Sequence, residues 1–246
     1  MSLPARVTLE AAWILHRRPY RDSSEIIDLV TLGHGRISAV SRGSRSRRPK
    51  VPLEPFQPIH ASWVGRGELV TLTGAEPRGP GLRVTGRRLL SMFYVNELLL
   101  RLTVKQDHQP DVFRLYENTI KGVASAPQEA VWLRNFESAL LDALGYGLSL
   151  ETDTDGCAVQ ADAYYRYYLE EGPQRVEDHG HGALTVSGGT LLAIKSGSYD
   201  NPEQLSQARH LLTAAMDLYL GGRPLKTRQV LNEMRSRSSR PRVLAK

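Results

Sequence analysis

FQPIHASWVGRGELVTLTGAEP, residues 56–77, carries the decision about the fold. Two runs of β-forming residues flank Gly65 and Gly67, the composition of a tight hairpin turn. Three more such runs precede it at short spacing. VTLEAAWILHR, residues 7–17, alternates partially through Val7, Leu9, Ala11, Trp13 and Leu15; SEIIDLVT and GRISAVSR follow. About five short strands with glycine-marked turns, inside the first third of the chain, suit a small closed barrel, and an OB-fold and an SH3-like barrel both fit.

The texture changes near Gly86. RRLLSMFYVNELLLRLTVKQ reads as a helix, Asp111 can cap VFRLYENTIKGVAS, and Pro127 opens a third helix that Gly145 stops. Three consecutive helices imply a bundle beside the barrel. Residues 148–189 are irregular, with short strands expected around AYYRYYLEEG and GALTVSGG. A last long helix starts near Asn201–Pro202 and ends at Gly221–Gly222, and RPLKTRQVLNEM adds at least a helical turn. The fold class is therefore α+β. The expected division is a barrel over residues 1–80, a helical domain over 81–234 with an inserted element at about 150–195, and a disordered basic tail over 235–246.

The 246 residues carry a formal charge of +6, unevenly spread. Between Arg36 and Lys50 there are six basic residues and no acid; between Gly221 and Lys246 there are eight against Glu233 alone. Outside these segments the chain has 18 basic and 25 acidic residues. Concentrated arginine on a mildly acidic body raises the local potential toward polyanions. Serine and glycine among the arginines let a backbone lie close to phosphates, each neutralised phosphate releasing a counterion. Tyr20, Phe56 and Trp63 could offer stacking faces to single strands, although Phe56 and Trp13 suit a barrel core better. Nothing here reads base edges, so binding is expected to be largely independent of sequence.

Catalytic motifs are missing. There is no GxxxxGK[ST], GxSxG or HExxH. ETDTDGCAVQAD, residues 151–162, places Glu151, Asp153, Asp155, Gly156 and Asp162 at calcium-loop positions, but the first lacks Asp and the last lacks Glu. Cys157, His179 and His181 lack a fourth partner for a metal, so Cys157 is expected to be a semi-buried thiol. With one cysteine there is no internal disulfide and no tetrathiolate zinc, which fits a reducing compartment. No stretch of about 18 apolar residues occurs and no leader is evident, so a cytoplasmic location is expected.

WILHRRPYRDSSEIIDLVT, GRISAVSRGSR, LEPFQP, GRGELVTLTGAE, FYVNELLLRL, LRNFESALLDALGYGL and LGGRPLKTRQVL occur in this order. Together, from about Val7 to Asn232, they resemble the RecO family of bacterial DNA repair proteins. The resemblance implies an N-terminal OB-fold followed by a helical domain with a small insert, and no catalytic residue or cofactor. It implies a recombination mediator, nucleoid-associated, that binds single- and double-stranded DNA and anneals complementary strands. With RecR as partner it would assist RecA loading on strands coated by the single-stranded-DNA-binding protein, whose C-terminal tail is a further partner.

DNA contact is accordingly expected at Arg36, Arg42, Arg45, Arg47, Arg48, Lys50 and Arg66, extended by Arg223, Lys226 and Arg228 of GGRPLKTR. Those last three residues also suit a helix start. The partner's tail is expected in a pocket of Phe113, Tyr116, Ile120 and Leu141 rimmed by Arg134, where plain bundle core is the competing role. Many members carry a four-cysteine zinc module in the insert; this chain has Cys157 alone there, so no metal is expected, and Tyr164, Tyr165, Tyr167 and Tyr168 should pack the insert instead. The competing functions are an OB-fold RNA-binding factor, a metal-dependent nuclease using Asp153, Asp155 and Asp162, and membrane-surface attachment through the tail, which lacks a bulky apolar face.

Overall fold

Strand alternation puts successive side chains on opposite faces, and in the first strand both faces are apolar where it matters. The computed structural model describes residues 5–43, 53–177 and 184–238, the last four by backbone alone. Strand β1 (Arg6–Tyr20) sends Ala12 and Ile14 into one core and Trp13 and Leu15 into another, all at most 1% exposed. It pairs with β2 (Ser24–Thr31) on one edge and β4 (Pro58–Val64) on the other. With β3 (Gly35–Ser41) and β5 (Leu69–Pro77) these strands close a barrel in the order β1-β2-β3-β5-β4. All pairs are antiparallel except β3 with β5, which meet over three residue pairs, Ser38↔Leu69 to Val40↔Thr71. The barrel core holds Ile27, Leu29, Ile37, Ile59, Trp63 and Val70. Trp63 is thus 4% exposed and Phe56 3%, which removes both as stacking faces.

Five strands followed by helices and a small sheet bear out the α+β expectation. Helix α1 (Arg87–Leu102) packs against the outward face of β1 and α2 (Pro110–Ser125) against that of β2, while α3 (Glu129–Ala143) packs on α1 and α2 and shares their core. Trp13, Leu15 and Val30 join their core, where Trp13 meets Tyr116 edge-on at 6.2 Å. A buried chain of hydrogen bonds crosses the same junction: Tyr116 Oη donates to Asn96 Oδ1 at 2.8 Å, and Asn96 Nδ2 to the Leu15 carbonyl at 2.7 Å. Such groups must be paired when water is excluded, so they fix the register of α1 on β1.

Between α1 and α2, residues 103–109 form a strap across the barrel. Beside Arg36, strand β3 has no β5 partner, and the strap fills that edge. Arg36 Nη2 donates to the Thr103 carbonyl at 2.7 Å, Arg36 Nε to Thr103 Oγ1 at 3.1 Å, and Gln106 N to the Arg36 carbonyl at 2.8 Å. Gly35 permits this approach: its φ is +62°, and a Cβ there would lie 1.8 Å from the Asp107 carbonyl oxygen.

The insert is a three-stranded sheet, β6 (Tyr164–Tyr168), β7 (Gly172–Val176) and β8 (Thr185–Ser187), in the order β7-β6-β8. Tyr165 and Tyr167 are buried; Tyr168 is exposed. Helices α4 (Gly188–Ser196), α5 (Pro202–Tyr219) and α6 (Lys226–Ser238) complete the fold.

Several expectations need correction. Helix α1 ends at Leu102 because the VKQ residues are spent on the strap. Asp111 is not the cap of α2: Gln109 holds that position, and Asp111 sits in the first turn accepting from Arg114 Nη1 at 2.9 Å. Helix α4 has no counterpart in the sequence reading. The tail expected to be disordered from 235 is helical in backbone to Ser238. Residues 239–246 lie outside the described set. Among the described residues no helix is long and apolar enough to cross a membrane.

Candidate nucleic-acid interface

The register of β2 with β3 pairs Glu25 with Ser41, so Arg42 follows directly at the end where β1 turns into β2. That turn carries HRRPYR, residues 16–21. His16, Arg17, Arg18 and Arg21 are all exposed, and Arg21 lies over the Tyr20 ring at 5.2 Å. Arg42 is exposed and has no ion-pair or hydrogen-bond partner among the described residues. Arg17 reaches Glu25 at 3.7 Å and Glu54 at 3.6 Å, tying the hairpin to the segment that leads into β4.

Asp28 anchors the group. It is 4% exposed and accepts from Ser38 Oγ at 2.5 Å and Arg18 Nη1 at 3.4 Å, with His16 Nδ1 at 3.7 Å. Burial alone would raise its pKa; the nearby His16 ring, the hydrogen bond from Ser38 and the charge of Arg18 outweigh it, and the carboxyl is held below its ordinary value. Its charge orients Arg18 while leaving that guanidinium half in solvent, at 51% exposure.

Arg45, Arg47, Arg48 and Lys50 lie outside the described residues. Arg36 is half-buried in the strap, its guanidinium committed to Thr103, which corrects its expected place on the DNA surface. Arg66 is exposed on the β4–β5 turn, where Gln106 Nε2 donates to the neighbouring Gly67 carbonyl. That is the strap end of β3, opposite Arg42. GGRPLKTR is spent largely on starting α6. Leu225 is buried, and Glu97 accepts from Lys226 N at 2.8 Å, Thr227 N at 2.9 Å and Thr227 Oγ1 at 2.7 Å. A carboxylate there satisfies orphan amides of the helix start. Arg228 pairs with Asp217 at 2.6 Å and lies over the Tyr94 ring, so it is no free surface cation; Arg223 and Lys226 are exposed.

The expected tail pocket is not on the surface. Phe113, Tyr116, Ile120 and Leu141 are at most 3% exposed and sit in the main core. Arg134 is buried against Glu137, which also accepts from Tyr94 Oη at 2.8 Å. These side chains fill the competing role, plain bundle core.

Among the described residues no group of three or more His, Cys, Asp or Glu side chains is placed to hold a metal. Asp153 Oδ1 instead accepts from the amides of Asp155, at 3.1 Å, and Cys157, at 2.8 Å, and Glu151 pairs with Lys195 at 2.9 Å. Cys157 is exposed, not semi-buried; His179 and His181 lie outside the described residues.

Sequence reasoning missed Arg17, Arg18 and Arg21. The run HRRPYR was itself a signal, hidden because Asp22, Glu25 and Asp28 cancel it in a charge count over residues 16–28.

The family model "Recombination protein O N terminal" matches residues 6–80, and "Recombination protein O C terminal" matches residues 83–229. A protein of Alkalilimnicola ehrlichii named DNA repair protein RecO is 48% identical over 233 residues, covering 93% of this chain and 92% of its own. Proteins of the same name from Nitrosococcus oceani and Halorhodospira halophila are 40% and 41% identical, over 94% and 92% of this chain and 95% and 97% of theirs.

Proposed function

The chain belongs to the recombination protein O family, and from that premise we propose that it is a DNA-binding, strand-annealing mediator of repair without catalytic chemistry. The observation that carries this reading is the cationic end of the barrel. Arg18, Arg21 and Arg42 stand exposed on a hairpin and a strand end, and the sequence that follows Arg42 adds Arg45, Arg47, Arg48 and Lys50. Annealing requires that phosphate repulsion between two strands be screened and that the duplex then be released. Several moderate contacts, each worth a released counterion, meet both needs. The barrel unit, residues 1–80, handles the strand, and the helical unit supports it through the strap. Loading of RecA on strands coated by the single-stranded-DNA-binding protein, in concert with RecR, completes the reading, in the cytoplasm at the nucleoid.

The test is annealing of complementary oligonucleotides across a salt series. The variant Arg21→Glu/Arg42→Glu should anneal more slowly, and its single-strand binding should lose about 1.4 from the log–log salt slope, at about 0.7 per phosphate contact. Unchanged annealing and slope would reject this placement of the site. Failure of the unaltered protein to bind oligonucleotide at low salt would reject the function.

A further inference from the structure

Between Glu76 and Glu97 the chain has four arginines, Arg78, Arg83, Arg87 and Arg88, and no acid. This is the stretch that leaves the barrel and enters α1. Two of the four have structural employment. Arg78 pairs with Glu117 at 3.2 Å and lies over the Trp13 and Phe113 rings. Arg88 donates to the carbonyls of Ala124 and Ala126, both at 2.9 Å, and so caps the end of α2. Arg83 and Arg87 are exposed, and among the described residues neither has an ion-pair or hydrogen-bond partner. Arg87 also stands in the first turn of α1, where the aligned peptide dipoles disfavour a cation and where that turn has no acidic residue of its own, Glu129 of α3 being held by Ser91 one turn further on. Folding gains nothing visible from either charge.

The connector does not run apart from the cationic barrel end. Leu82 N donates to the Phe56 carbonyl at 3.1 Å, and Gln57 Nε2 to the Gly79 carbonyl at 3.2 Å. Residues 79–82 are thereby stitched to the segment that leads into β4, near Glu54, which holds Arg17. Phe56 in turn packs edge-on against Phe93 of α1, with ring centroids 5.1 Å apart. Gly81 allows the close fit: a Cβ there would lie 2.4 Å from Gln57 Oε1, so the connector lies tight against the segment that leads into β4. The hairpin, the entry to β4, the connector and the start of α1 are linked in that sequence.

Resting on the DNA-binding reading above, we infer that Arg83 and Arg87 are phosphate contacts for a single DNA strand, which passes from the barrel end onto the connector and the start of α1. The strand is held across the junction of barrel and helices, not by the barrel alone.

The experiment measures binding of labelled oligo(dT) over a salt series. Arg83→Gln/Arg87→Gln should lower the log–log slope by about 1.4, at about 0.7 per contact on a single strand, while Arg83→Lys/Arg87→Lys keeps it. In unaltered protein, bound oligo(dT) should protect both residues from an arginine-specific dicarbonyl reagent, read by mass spectrometry. That arm needs no variant and therefore no assumption about folding. A Gln pair with an unaltered slope, or full reactivity of both arginines in the complex, overturns the inference while Arg21→Glu/Arg42→Glu still loses slope. If unaltered protein shows no oligo(dT) binding in low salt, the DNA-binding reading falls first and this inference with it.

Discussion

Replacing Glu137 by leucine tests the buried charge pair at the centre of the helical core. Glu137 is fully buried and Arg134 7% exposed. One carboxylate oxygen, Oε1, accepts from both Arg134 Nη2 and Tyr94 Oη. Tyr94 in turn accepts from Arg228 Nη2 at 3.3 Å, so the pair also helps to seat α6. Glu137→Leu leaves a guanidinium in a region closed to water. Breaking a buried pair from one side costs about 3–5 kcal/mol, because the remaining charge keeps its desolvation penalty without compensation. At 1.36 kcal/mol per decade that is about two to four powers of ten in the unfolding equilibrium. Arg134→Met/Glu137→Leu removes both charges at similar volume, and such replacements are neutral or stabilising. The assay is urea unfolding followed by tryptophan fluorescence and far-ultraviolet circular dichroism. The single variant should shift the midpoint steeply downward and the double variant should recover most of the loss, short of the about 1–3 kcal/mol for the Tyr94 hydroxyl left without its acceptor. A single variant within about 1 kcal/mol of the parent would show that Arg134 reaches solvent, and the surface position first expected of it would regain its case.

Three further outcomes follow from particular contacts. Gly35→Ala should cost about 2–5 kcal/mol, adding a left-handed backbone penalty to a collision with the Asp107 carbonyl, whereas Gly67→Ala, left-handed but facing open space, should cost about 1–2 kcal/mol; equal unfolding midpoints would contradict the strap. Asp28 has a lowered pKa, so its stabilisation is present above its ordinary value of about 4 and is lost as the pH falls below it; the melting-temperature gap between parent and Asp28→Asn should be full at neutral pH and close in acid, and a constant gap would refute the assignment. Glu97→Ala removes the acceptor for two amides and one hydroxyl at the start of α6, so hydrogen exchange should rise through α6 while the barrel is unaffected.

The barrel was legible because its alternation is local. Val7 to Leu15, and the glycines at 65 and 67, point to strands and a turn without help from the rest of the chain. The two-sided burial of β1 was not legible, since alternation names two faces but not what covers the second. Arg36 and Arg134 were misplaced for one reason: charge in a sequence implies solvent, and each is held inward by partners 67 and three positions away. Asp111 was misplaced because a capping residue type two positions inside the helix start still reads as a cap. Helix α4 escaped notice because its opening, Gly188–Gly189, signals a turn; Gly188 is needed instead because a Cβ there would lie 1.9 Å from the Gln160 carbonyl oxygen. The basic barrel end was half legible: Arg42 came from the arginine run, but Arg17, Arg18 and Arg21 join it through strand pairing, which no linear count contains.

The strap has a practical corollary for anyone dissecting this molecule. An excised fragment ending near residue 80 would contain every strand of the barrel yet lack the piece that covers Arg36 and the adjoining edge of β3. It would also bare Trp13, Leu15 and Val30 to water. Open strand edges beside greasy side chains invite self-association. The isolated barrel should therefore precipitate or oligomerise, and its failure to grip a ligand would say nothing about the intact chain.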